Sequence, residues 1–95
     1  MKIVVVSGGF DPIHSGHIAY FKAARSHGDK LVIALNSDDW LEKKKGKAFM
    51  PFHERKIIIE NLSFVDEVID FEDDDHGSCI KGLEKIKSMY PNEEI

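Results

Sequence analysis

The chain has 95 residues, 42% hydrophobic and 32% charged, with a formal net charge of -4. That length holds one small domain, near the lower limit for a core that folds alone, and the mix excludes a disordered or membrane-embedded chain. The excess of acid over base excludes a broad positive field for nucleic acid, so any anion must be held locally.

Ile3 to Val6 is a short continuous apolar run, the pattern of a parallel strand covered on both faces. It is too short for a signal-peptide core or a membrane span, and the solitary Cys79 makes no internal disulfide, so a cytoplasmic place is expected. Beyond Ser15 and Gly16, residues Ile18, Phe21 and Ala24 fall on one side of a helix that Gly28 can end with a left-handed cap. Leu31 to Leu35 is a second buried strand. The stretch NSDDWLEKKKGK starts with capping residues, forms a short turn around Trp40, and dissolves into a basic loop. Pro51 suits a helix start, with Ile58, Ile59, Leu62 and Val65 following at helical spacing. Glu67 to Phe71 makes a third strand and EDDDHGS a polar turn. Ser78 caps a last helix whose inward face is Ile80, Leu83 and Ile86, and Pro91 stops it. Alternating strands and helices imply an α/β fold, Rossmann-like and three-layered, with a parallel sheet and right-handed crossovers. Ligands of such sheets sit at the carboxyl ends of the strands, where the strand order reverses.

The segment after Val6 lies at that end. Its loop SGGFDP lacks the G-x-G-x-x-G spacing of a dinucleotide site. Ser15 as helix N-cap would place Gly16 and His17 in a first turn whose amides point outward, a site for an anion. Gly8 and Gly9 would let a phosphate approach the backbone. His14 and His17, one turn apart, would flank it, and a polyphosphate would favour their charged form against the helix dipole. Three plainer readings compete: capping or solvated histidines, an H-x-x-H zinc pair lacking further ligands at suitable spacing, and a turn built only for geometry.

GGFDPIHSGH, Gly8 to His17, resembles the H-x-G-H motif of the nucleotidyltransferase superfamily, which passes an NMP unit from a nucleoside triphosphate to a phosphorylated acceptor. LVIALNSDDW, HERKIIIENLSFVDEVI and EKKKGK are similar to the glycerol-phosphate cytidylyltransferases and the heptose-phosphate adenylyltransferases, over Ile3 to about Phe71. The resemblance implies CTP or ATP, a glycerol or sugar phosphate, and magnesium carried on the triphosphate, with no dedicated metal site. His14 and His17 would act at the phosphates, and Lys44 would reach the acceptor, with Gly46 standing where a second basic residue is usual. Ser63 replaces an arginine common in cytidylyltransferases, which weakens transfer of their dimer contact and of their CTP preference.

Arg55 shares the stripe of Ile58, Ile59 and Leu62, so its charge needs a partner. The resemblance assigns it to the triphosphate; Asp38 or Glu54 would serve otherwise. Asp11 and Asp38 follow strands at the carboxyl end, where they can reach a ligand, although Asp38 can equally cap a helix. Phe10 is expected to pack while its backbone N–H serves a phosphate. Trp40 is expected to cover core, and the acidic run from Glu72 to Asp75 to be solvated.

In the family a fourth strand lies beside the first, so residues 1–95 are expected to form a single but incomplete domain. The first strand would then be an exposed edge of valines, covered by a homodimer or another partner. A noncatalytic remnant binding a nucleotide or a partner, and a zinc-binding or structural domain, remain as alternatives to the enzyme.

Overall fold

In the computed structural model, which describes residues 1–71 and 80–95, seven elements follow in order. They are β1 (Ile3–Gly8), α1 (Ser15–Arg25), β2 (Lys30–Leu35), α2 (Asp38–Lys45), α3 (Phe52–Glu60), β3 (Glu67–Asp70) and α4 (Ile80–Met89). The strands form one parallel sheet in the order β1-β2-β3, with Val6 opposite Ile33 and Ile33 opposite Val68. β2 is central, and its period-two alternation divides its side chains between two cores. Leu31, Ile33 and Leu35 join Phe21 of α1 and Ile59 of α3 on one face, while Val32 and Ala34 join Ile69, Phe71 and Ile86 of α4 on the other. The expected three layers are therefore present.

Several local expectations change. α2 is a full helix to Lys45, because Gly46 at φ 81° closes it with the left-handed cap and three lysines complement its carboxyl end. α1 instead ends on Ser26 in a right-handed conformation, so Gly28 is not its cap. Ile58 and Ile80 are 36% and 56% exposed, and the buried stripes run through Arg55 and Ile59 in α3 and through Gly82 and Ile86 in α4. Ser78 and the acidic turn lie outside the described residues.

After α4 the chain returns beside β1. Glu94 pairs with Lys2 in parallel, its amide donating to the Met1 carbonyl and its carbonyl accepting from the Ile3 amide. The direction of strand addition thus reverses at β1, whose carboxyl end becomes the switch point. The valine side chains are better covered than expected: Ile3 and Val6 are buried, Val4 and Val5 partly so. Among the described residues it is the backbone edge that lies open beyond Glu94.

Candidate functional site

His14, not Ser15, is the N-cap of α1. Its extended backbone turns the imidazole back over the helix, where Nδ1 accepts the Gly16 amide at 3.1 Å. His17 answers reciprocally, its Nδ1 accepting the His14 amide at 3.3 Å. The rings stack with centroids 3.9 Å apart and planes 26° from parallel. A ring nitrogen that accepts a hydrogen bond carries no proton, so each neutral ring holds its proton on Nε2. Both rings are thereby oriented with Nε2 available to donate.

The amide cradle expected of the first turn is accordingly altered. Gly16 N–H is taken by His14 itself, and the His17 amide donates to the His14 carbonyl at 3.0 Å. Burial, and then the neighbouring His14 charge, hold the His17 pKa below its ordinary 6.5. The charged form of His17 favoured by the sequence argument is thus opposed by its surroundings.

The glycines serve this pair through packing. A Cβ on Gly16 would stand 2.9 Å from His14 Cε1, and one on Gly8 would stand 2.8 Å from Phe10 Cζ. Phe10, at φ 49°, turns its ring inward, edge-on to Phe21 at 4.8 Å and to His17 at 5.2 Å. Left-handed backbone costs a non-glycine residue about 1 kcal/mol, which the burial of an aromatic ring offsets.

Arg55 is the most heavily bonded of the residues singled out in the sequence. Its side chain is 0% exposed, and every guanidinium nitrogen is engaged within the chain. Nε donates to Met50 O at 3.0 Å, Nη1 to Gly9 O at 2.9 Å and Asn36 O at 2.8 Å, and Nη2 to Asp38 Oδ1 at 2.7 Å. Of the partners the sequence offered, Asp38 is the one found. Asp38 is not the cap of α2 either; Ser37 accepts the Trp40 amide. Arg55 thus ties together the segments that follow β1 and β2, the start of α2 and the α2–α3 connection.

Asp11 is likewise engaged within the chain. Its carboxylate is shielded from solvent and accepts the amides of Phe49 and Met50, both at 2.6 Å, with Lys45 Nζ at 3.0 Å. Lys44, exposed on α2, holds its Nζ 5.6 Å from the centre of the Trp40 ring. Nothing in the sequence marked Asn36, Met50 or Phe49, because they contribute main-chain groups that every residue possesses.

A parallel α/β sheet with helices on both faces and a histidine pair at the carboxyl end of its first strand defines a Rossmann-like domain. The cytidylyltransferase-like family model matches residues 5–90, and the chain belongs to that family. The bifunctional proteins HldE of Shigella sonnei and of Salmonella arizonae are each 38% identical over 84 residues. Those residues cover 86% of this chain but 18% of each relative, so the chain spans under a fifth of their length. The crystal structure of the lipopolysaccharide core biosynthesis protein from Thermoplasma volcanium superposes with a TM-score of 0.80 at 29% identity, covering 92% of this chain and 69% of that one. Among the described residues no helix is long and apolar enough to cross a membrane.

Proposed function

We propose that the chain binds CTP or ATP at the His14–His17 pair and passes the NMP unit to a small phosphorylated acceptor, releasing pyrophosphate. The observation that carries this reading is the reciprocal capping of the two rings, which leaves two Nε2–H donors side by side at the switch point. An acceptor phosphate oxygen is anionic at neutral pH and needs no base. It attacks the α-phosphorus, a new P–O bond forms, the bond to the bridging oxygen breaks, and its electron pair leaves with pyrophosphate. The protein's task is alignment and donors for the developing charge. His14 and His17 supply the donors, and Lys44 faces the acceptor phosphate.

Magnesium enters as part of the triphosphate; among the described residues no group of three or more His, Cys, Asp or Glu gathers to hold an ion. The lipopolysaccharide role named for the Thermoplasma protein favours a sugar phosphate over glycerol phosphate. The reaction belongs in the cytoplasm, where nucleoside triphosphates are plentiful. A second reading, a noncatalytic module that binds a partner strand, is favoured by the open edge of β1.

Pyrophosphate release from CTP and ATP, measured against glycerol phosphate and a panel of sugar phosphates, separates the two. Release should fall by about two to three orders of magnitude in His14→Ala and His17→Ala, as when a donor to a developing oxyanion is removed. A wild-type chain that binds neither triphosphate would sink the proposal.

A further inference from the structure

Asp11 stands three residues before His14, yet its buried carboxylate holds the distant connection between α2 and α3. Oδ2 accepts the Phe49 amide and Oδ1 the Met50 amide. Lys45, the last residue of α2, lies 3.0 Å from Oδ2 and also donates to the Asp11 carbonyl at 2.7 Å. The tie closes into a ring, because the Met50 carbonyl accepts from Arg55, which also donates to Gly9, two residues before Asp11. α2 is seated on the same segment: a Cβ on Gly9 would stand 2.6 Å from Leu41 and 3.4 Å from Trp40.

We propose that Asp11 is a positioning residue, whose carboxylate fixes the lysine-bearing end of α2 at a set distance from His14 and His17 and so aligns the acceptor phosphate with the α-phosphate. This rests on the transfer reading above. Two anionic substrates repel each other, so the cations on one and the donors on the other must be held in register before they meet. A carboxylate is the group that can do this here. Each oxygen takes one amide while one of them also takes an ammonium, whereas an asparagine has one acceptor oxygen and would turn its NH2 toward a donor. Burial raises the Asp11 carboxyl pKa, and the Phe49 amide, Lys45 and the Met50 amide together overcome it and leave the group below the usual carboxylate range.

The test uses Asp11→Asn, with Lys45→Met as a milder variant whose side chain is a third exposed. Affinity for the triphosphate, by calorimetry, should stay within about threefold of wild type, while the acceptor KM rises about tenfold and kcat falls as alignment is lost. Rescue by Asp11→Glu should be partial at best, because the amides are fixed. Equal loss of triphosphate affinity in Asp11→Asn and His17→Ala would overturn the proposal, as would an unchanged acceptor KM and kcat. Should Asp11→Asn fail to fold, Lys45→Met decides by the same criteria. If wild type releases no pyrophosphate, the transfer reading fails separately, and amide spectra under titration with inorganic pyrophosphate judge Asp11. Wild type should then shift the His14–His17 amides and those of Phe49 and Met50 together. Asp11→Asn shifting only the former supports positioning; the same coupled set as wild type overturns it.

Discussion

His14 and His17 show how a residue's role follows from which of its atoms are already engaged. With its Nδ1 accepting the His14 amide, His17 can be charged only by breaking that bond. The lowered His17 pKa means that the unfolded chain binds more protons than the folded one between 6.5 and that lower value. Stability is therefore full above about pH 6.5 and declines as pH falls through the folded value. The melting temperature of wild type should fall relative to that of His17→Gln as pH is lowered from 8 toward 5, so the difference between them changes across that range. A gap that stays constant across that range would show that His17 is not held neutral. The spacing of the two histidines was readable from the sequence; their tautomer was not. It depends on His14 folding back over Gly16, and histidine is not among the residues ordinarily expected at an N-cap.

Arg55 acts at the scale of elements. It begins on α3 and binds the end of β2 through Asn36, the loop after β1 through Gly9, the first turn of α2 through Asp38, and the α2–α3 connection through Met50. Replacing it with Met leaves three carbonyls and one carboxylate without their donor. Loss of one partner of a buried ionic network costs about 3–5 kcal/mol. Lysine restores the charge but not the planar fork that points to four acceptors, so it should recover little. Urea unfolding of Arg55→Met and Arg55→Lys measures both; a loss under about 1 kcal/mol for Met would contradict the network role. That Arg55 needed a partner was legible in its place on an apolar stripe. Which partners it found was not, since three of the four are main-chain oxygens on remote segments. Ile58 and Ile80 went astray for a related reason: periodicity identifies a stripe, but the angle at which a helix settles on the sheet decides which side of the stripe is covered.

Among the described residues, β1 has β2 on one side and only the Glu94 bridge on the other. In a parallel ladder the N–H and C=O of a residue point the same way, so Lys2 faces β2 while Ile3, Val5 and Ser7 face outward. Glu94 meets the Ile3 amide, and beyond it a groove of about 620 Å³ runs along the edge, lined by Val4, Val5, Tyr20, Ala23, Leu83 and Ile95. An apolar slot beside open backbone invites another strand. Sedimentation equilibrium should show concentration-dependent self-association at high micromolar protein. Tyr20→Lys, at a position 55% exposed, should weaken that association without loss of fold, by placing a charge beside the edge. A wild type that stays monomeric throughout would refute the expectation that this edge recruits a partner.

The alternation of strands and helices, α2 apart, and the place of the histidine pair at the start of α1 just beyond β1, were determined by the sequence alone. Burial on both faces demands unbroken β-branched runs, and helix periodicity and turn residues separate those runs. Only the tertiary structure decided that Asp11 and Arg55 face inward and brace the site, while His14 caps its own helix. Those outcomes depend on backbone amides and carbonyls brought together from distant segments, and every residue carries such groups whatever its side chain.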